Sequence, residues 1–187
     1  SALLEDREHL PPDAIPYTPR QTRPIPIVGV VNCGVPLLAE ENIEGYIETP
    51  LEDLNSGEEY FWLRAKGDSM TNIGIHPGDF LLIRKQNDVD SGDIAVVSVN
   101  GDDATLKRVI KKENALVLQP ENPAYEMKIL VGKEMEDVHI RGSWKNAFDQ
   151  SNPFSYKKQE VIDDENTGRN ISLRPLLCGG LHRMSLS

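Results

Sequence analysis

Cysteine is scarce in this chain, and its scarcity excludes several kinds of site. The 187 residues include two cysteines, Cys33 and Cys178. Two thiols so far apart do not form the disulfide framework of a small secreted protein, and they cannot supply a four-ligand zinc site. The four histidines show no metal-ligand spacing; they are His9, His76, His139 and His182. The sequence therefore predicts no metal site and no cofactor.

Long apolar runs are also missing. No stretch approaches the roughly 18 apolar residues that a membrane-spanning helix needs. The first ten residues, SALLEDREHL, contain no apolar core of a secretory signal. With 39% hydrophobic and 27% charged residues, the composition is that of a globular domain. We therefore expect a soluble, cytoplasmic protein that has no membrane partner.

Basic residues are few in the middle of the chain. Residues 1–28 carry four acids and three bases, and residues 143–187 carry five acids and six bases. Of the 30 acids and 20 bases in the chain, this leaves 21 acids and 11 bases for residues 29–142. So acidic a block repels a phosphate backbone. We expect contact with DNA only through a helix-turn-helix module that is not present in this chain.

Proline is concentrated near the N-terminus. Residues 11–26, PPDAIPYTPRQTRPIP, contain six of the 13 prolines. Such a density fixes φ, removes backbone donors and favours extended chain. The sequence therefore predicts that residues 1–26 form an extended arm or an interdomain linker.

Short strands separated by turns are predicted for residues 27–142. Apolar, β-branched stretches such as IPIVGVVN, DFLLIRK and DIAVVSVN alternate with turn sequences such as HPGD, DVDSGD and NGDD. Asn100-Gly101 is a hairpin signal. We predict a mostly-β domain, built as a twisted, partly closed β-sheet or barrel.

The pattern breaks after Gly142. The following sequence, SWKNAFDQSNPFSYKKQEVIDDENTGRN, is polar and aperiodic, and only ISLRPLL favours a strand. We predict that residues 143–187 form a tail of uncertain, largely irregular structure.

Ser69 lies in the stretch AKGDSMTNIGIHPGD and has two interpretations. Serine commonly caps a helix, and here it could cap a short helical turn that begins at Met70. Alternatively, Ser69 is a nucleophile on a tight turn, which requires a base within hydrogen-bond reach. His76 precedes a Pro-Gly pair and is more typical of an exposed turn.

Lys107, in the stretch DDATLKRVI, is the better candidate for a base. On a strand it shares a face with Thr105 and Val109, while Arg108 faces the other way. Burial lowers the pKa of a lysine, so that it can accept a proton. The alternative is that Lys107, like most strand lysines, extends to water.

The motifs GDSMTNIGIHPGDFLLI and TLKRV together resemble the LexA and UmuD family of self-cleaving Ser–Lys proteases, to which the lambda-type phage repressors also belong. The resemblance covers about residues 29–142. It implies that Ser69 is the nucleophile and Lys107 its base. It also implies that backbone N–H groups at the turn, formed by Gly67, Asp68 and Met70 around the serine, stabilise the oxyanion.

The same resemblance implies that the chain is its own substrate. The matching cleavage site is the Cys33–Gly34 bond in VVNCGVPLL. Taken alone, Cys33 is typical of a small buried hydrophobe. The family further implies a homodimer, and stimulation of cleavage by the RecA filament on single-stranded DNA.

Two functions in this family fit the sequence. The first is a LexA-like transcriptional repressor whose DNA-binding module lies upstream of this chain. The second is a UmuD-like accessory subunit of an error-prone polymerase, which the Cys-Gly pair and the acidic charge favour. A signal peptidase also uses Ser–Lys chemistry, but it needs a membrane anchor. A non-enzymatic interaction domain is the remaining alternative.

Overall fold

The computed structural model describes residues 19–29, 36–148, 156–162 and 170–176. Eleven strands lie in these ranges: β1 Thr22–Val28, β2 Ile43–Pro50, β3 Tyr60–Arg64, β4 Phe80–Lys85, β5 Ile94–Val99, β6 Thr105–Lys112, β7 Ala115–Gln119, β8 Lys128–Val131, β9 Val138–Phe148, β10 Tyr156–Ile162 and β11 Asn170–Leu176. Short 3₁₀ turns occupy Glu40–Asn42, Leu51–Asp53, Thr71–Ile73 and Gly132–Met135. No helix in the described part of the chain is long and apolar enough to span a bilayer.

The strands form one sheet in the order β2-β1-β3-β4-β9-β5-β6-β7-β8, with β10 paired to β9 and β11 paired to β10. The β1–β3 pair is parallel, and the other pairs are antiparallel. The prediction of a mostly-β domain is confirmed. The sheet is not closed into a barrel.

Strand β9 is central to the sheet and corrects the predicted boundary after Gly142. It pairs with β4 on one side and with β5 on the other, and it continues without a break to Phe148. Both pairings shift register near the middle of β9. Such bulges disturb the alternation of apolar and polar residues. This explains why SWKNAF reads as aperiodic although Trp144 is buried.

Strand β1 begins inside the predicted arm, which is the second correction. It starts at Thr22 and contains Pro24 and Pro26. Its parallel pairing with β3 involves Ile27 and Val28. One edge of β1 therefore needs no ladder hydrogen bonds between residues 22 and 26, and proline is tolerated at such an edge. In the predicted tail, the ISLRPLL strand corresponds to β11, whereas β10 was not predicted.

Three apolar clusters stabilise the two faces of the sheet. The first lies beneath the loop that carries Ser69; its fully buried members include Phe61, Leu81, Ile83, Val96 and Trp144. The second is built on β5 to β8, and the third packs around Trp62 and Leu82 on the opposite face of β3 and β4. The loop between β3 and β4 therefore rests on a rigid base.

The close packing of β9 against β4 is testable at Gly142. A Cβ at this position would lie 2.5 Å from the backbone carbonyl oxygen of Arg84 and 2.5 Å from Cγ2 of Ile83. Because the backbone there cannot give way cheaply, we expect Gly142→Ala to lower the free energy of unfolding by about 2–3 kcal/mol in urea denaturation.

Gly45→Ala is the matched control. Gly45 also lies in a strand, but its added Cβ would meet only Cδ1 of Ile27, at 3.7 Å. We expect this variant to be as stable as the parent or slightly more stable, since alanine loses less backbone entropy than glycine. Equal stability of the two variants would contradict the position of β9 between β4 and β5.

Candidate active site

The turn that carries Ser69 is part of the loop between β3 and β4. The base of this loop is closed by two backbone hydrogen bonds, from Ala65 N to Asp79 O at 2.7 Å and from Gly78 N to Ala65 O at 2.9 Å. Gly67 has a φ of +72°, in the left-handed region that glycine adopts without strain. The loop therefore reverses direction just before Ser69 and presents this residue half-buried above the first apolar cluster.

Ser69 does not cap the helical turn that follows it. The N-cap position belongs to Met70, and no side chain makes a capping hydrogen bond there. The 3₁₀ turn begins at Thr71, and Met70 itself is buried in the first apolar cluster. The capping interpretation of Ser69 is therefore wrong, and its hydroxyl is available for another contact.

Lys107 provides that contact from strand β6. The β5–β6 hairpin turns at Asn100 and Gly101, both of which have positive φ, as the Asn-Gly signal predicts. The Lys107 Nζ lies 3.2 Å from the Ser69 Oγ. It also donates to Thr105 Oγ1 at 2.8 Å and to the backbone oxygen of Leu106 at 2.9 Å.

Burial without a charged partner shifts the protonation equilibrium of Lys107 towards the neutral amine. Desolvation holds its pKa below the usual range of lysine. None of the ion pairs in the described ranges involves Lys107. A neutral amine has two N–H bonds and one lone pair. The two acceptors on Thr105 and Leu106 match its N–H bonds, which leaves the lone pair for the hydroxyl of Ser69.

His76 does not take part in this arrangement. Its side chain is 58% exposed, and its backbone N–H donates to Oδ2 of the buried Asp79. The residue marks the exposed turn that the sequence predicted.

A cavity of about 310 Å³ opens beside Ser69. Its wall includes apolar side chains from β3, the β3–β4 loop, β4 and β6: Leu63, Met70, Ile75, Leu81 and Leu106. Gly29, the last described residue before the gap at 30–35, also lines it. On the other side of that gap, Leu37 and Leu38 pack against the first apolar cluster, to which Met70 and Leu106 belong. The predicted cleavage site Cys33–Gly34 lies outside the described residues, between these two anchored ends.

The loop between β7 and β8 supplies contacts that the sequence did not reveal. Asn122 and Tyr125 both hydrogen-bond to Asp68, and Glu121 forms an ion pair with Arg108. The sequence indicated only that Arg108 faces away from Lys107. The available signal was a polar PENPAY stretch after a strand, which is typical of many ordinary turns.

No group of three or more histidine, cysteine, aspartate or glutamate side chains in the described ranges is arranged to hold a metal ion. What the arrangement offers is a hydroxyl next to a half-buried amine, beside an apolar cavity. This combination suits nucleophilic attack on a peptide carbonyl.

Comparison with known proteins identifies the family. The model of the peptidase S24-like family matches residues 26–144. The LexA repressor of Lacticaseibacillus casei is 43% identical over 106 residues, which is 57% of this chain and 51% of the repressor. The LexA repressor of Geotalea uraniireducens is 45% identical over 124 residues, or 66% of this chain and 60% of the repressor.

The LexA repressor of Clostridium kluyveri is 45% identical over 98 residues, covering 52% of this chain and 48% of the repressor. The chain thus spans about half to three fifths of the length of the curated relatives it matches. Because the family model covers well over half of the sequence, the chain belongs to the peptidase S24-like family.

Proposed function

We propose that this chain is the self-cleaving protease portion of a LexA-like transcriptional repressor, and that Ser69 and Lys107 form its catalytic dyad. The observation that carries the proposal is the 3.2 Å contact between Lys107 Nζ and Ser69 Oγ. Burial favours the neutral amine that a general base requires, and the nearby candidate in sequence, His76, is exposed.

The reaction proceeds in two stages. Neutral Lys107 accepts the hydroxyl proton as Ser69 Oγ attacks the carbonyl carbon of Cys33. Backbone N–H groups at the Ser69 turn stabilise the oxyanion. The protonated lysine then donates to the departing amine of Gly34, which breaks the peptide bond and leaves an acyl-enzyme. Water, deprotonated by Lys107, hydrolyses that ester and regenerates the dyad.

The position of the flanking residues supports Cys33–Gly34 as the substrate bond. Gly29 lines the cavity, and Leu37 packs on the cluster beneath it. Only six residues, 30–35, lie between the described ends, and a segment of that length spans at most about 20 Å. Tethering gives a high effective concentration of substrate, and a modest base therefore suffices.

The same proposal covers the partners. The chain acts as a homodimer in the cytoplasm, and a RecA filament on single-stranded DNA favours docking of the cleavage segment. Contact with operator DNA is made by a helix-turn-helix module outside this sequence. The relatives named LexA repressors favour this function. The UmuD-like polymerase subunit remains the alternative and is supported by the Cys-Gly pair.

The dyad is testable without any partner, because alkaline pH neutralises Lys107. We expect the 187-residue chain to cleave itself faster as pH rises towards the pKa of Lys107. Ser69→Ala and Lys107→Ala should each slow the reaction by about 10³-fold or more. Gel electrophoresis gives the rate, and mass spectrometry should find new ends at Cys33 and Gly34.

Two controls accompany this experiment. His76→Ala should cleave at the parental rate, because that side chain is exposed and pairs with Asp79 rather than with the dyad. Gly34→Glu should block cleavage while leaving the dyad intact, because a side chain there crowds the carbonyl. Cleavage that persists in Lys107→Ala would show that this lysine is not the general base. Fragments that begin at another residue would show that Cys33–Gly34 is not the cleavage site.

Lys107 should lower the free energy of unfolding at neutral pH, because its charged form is desolvated in the folded chain. Its pKa is lower in the folded than in the unfolded chain, so the unfolded chain binds more protons between these two values and stability rises with pH there. We expect Lys107→Met, in a Ser69→Ala background, to be more stable than its parent at pH 7 by about 1 kcal/mol or less, since the side chain is only half-buried.

This gain should disappear as pH rises towards about 10.4, where an unfolded lysine also becomes neutral. Urea denaturation at pH 7 and pH 10 measures both effects. Lys112→Met, at the exposed end of the same strand, controls for the loss of a surface lysine. A Lys107→Met variant that is less stable than its parent at pH 7 would mean that the fold stabilises the ammonium.

A further inference from the structure

The loop between β7 and β8 holds the peptide that precedes Ser69. The side-chain amide of Asn122 donates from Nδ2 to the backbone carbonyl oxygen of Asp68 at 2.8 Å. The hydroxyl of Tyr125 donates to Oδ1 of the same aspartate. The backbone N–H of Asn72, on the far side of the turn, donates to the carbonyl oxygen of Glu121 at 2.8 Å. The turn is therefore fixed to this loop before and after Ser69.

The first of these contacts helps to fix the direction of the Ser69 N–H, together with the longer hydrogen bond of 3.4 Å that the backbone N–H of Thr71 donates to the same carbonyl oxygen. The carbonyl of Asp68 and the N–H of Ser69 belong to one peptide unit, and the described chain contains no cis peptide. A trans peptide is planar, so its C=O and N–H point in opposite directions. By holding the carbonyl, Asn122 directs the Ser69 N–H away from itself. Within the described ranges, that N–H has no hydrogen-bond acceptor.

The loop that carries Asn122 is itself fixed. The side-chain Oδ1 of Asn122 accepts a hydrogen bond from the backbone N–H of Ala124 at 3.0 Å. The backbone carbonyl oxygen of Asn122 accepts one from the backbone N–H of Tyr125 at 3.1 Å. The preceding residue, Glu121, pairs with the buried Arg108, which also donates to the carbonyl oxygen of Gly92 at 2.7 Å. The amide of Asn122 is therefore presented from a rigid support.

We propose that Asn122 is a positioning residue for self-cleavage, because it orients the backbone N–H of Ser69 that stabilises the oxyanion. The inference rests on the proposed function. An oxyanion donor works only when it lies about 2.7–3.1 Å from the developing charge, so rotation of the 68–69 peptide weakens it. Tyr125 assists through the side chain of Asp68. That hydrogen bond raises the pKa of Tyr125.

The test is the rate of alkaline self-cleavage of the whole chain, with Asn122→Asp as the key variant. Aspartate has the same shape and still accepts from Ala124, but it cannot donate to the carbonyl of Asp68. Losing an oxyanion donor outright costs about 10²–10³-fold, and a misdirected donor costs less. We expect Asn122→Asp and Asn122→Ala to be slower by about 10- to 100-fold, and Tyr125→Phe by several-fold.

Two further readouts separate positioning from other roles. The midpoint of the pH–rate profile should stay at its parental value, because it reports Lys107, which Asn122 does not contact. Melting temperatures show that the variants are folded, and the exposed Tyr125 provides a variant that leaves the core untouched. Asn114→Asp, the same change in the exposed β6–β7 turn, should cleave at the parental rate.

Several results would overturn the inference. If Asn122→Asp is as fast as the parent and only Asn122→Ala is slow, then Asn122 merely shapes its own loop. A displaced pH midpoint in Asn122→Asp would mean that the new charge acts on Lys107. If Ser69→Ala cleaves as fast as the parent, the proposed function fails as well. Parental rates in the Asn122 variants, with Ser69→Ala inactive, reject this inference alone.

Discussion

The desolvated amine of Lys107 is the constraint on which the site depends. Its Nζ has three oxygen neighbours, on Ser69, Thr105 and Leu106, and none of them is charged. These positions fit an ammonium with three donors as well as an amine with two donors and a lone pair. Burial favours the amine, because it penalises the ammonium and lowers the pKa of Lys107. A carboxylate at this place would favour the ammonium and abolish the base.

The sheet provides this environment from elements far apart in sequence. The β5–β6 hairpin brings Lys107 opposite Ala95, and the β3–β4 loop brings Ser69 over the first apolar cluster. Side chains on both faces of strand β6 contribute to the site. Lys107 contacts Ser69, while its neighbour Arg108 pairs with Glu121 in the β7–β8 loop. That loop in turn contacts the serine turn through Asn122. The nucleophile, the base and the backbone that surrounds them are thus held by one set of strands.

Local patterns were enough to predict several strands between residues 27 and 142, with β4, β5 and β6 among them, but not β2 or β8. The pairing of Ser69 with Lys107 was implied by the resemblance to the LexA and UmuD family, because the local patterns left both residues open to a structural role. The Asn100-Gly101 turn fixes the hairpin, and alternation fixes the face of Lys107. Where β9 lies was not predictable, because two bulges interrupt its periodicity and its partners are distant in sequence. Asn122 was missed for a related reason. Its contact with Asp68 spans 54 residues and leaves no local pattern.

The most direct measurement is an NMR titration of Lys107 in the Ser69→Ala chain, which stays intact at high pH. Lysine labelled with ¹³C at Cε and ¹⁵N at Nζ reports the protonation of each amine, and Lys107→Met in the same background identifies the signal. We predict that Lys107 titrates below the ordinary lysine value of about 10.4. A Lys107 that titrates at or above that value would contradict the account, because its amine would be charged and unable to accept the proton of the serine.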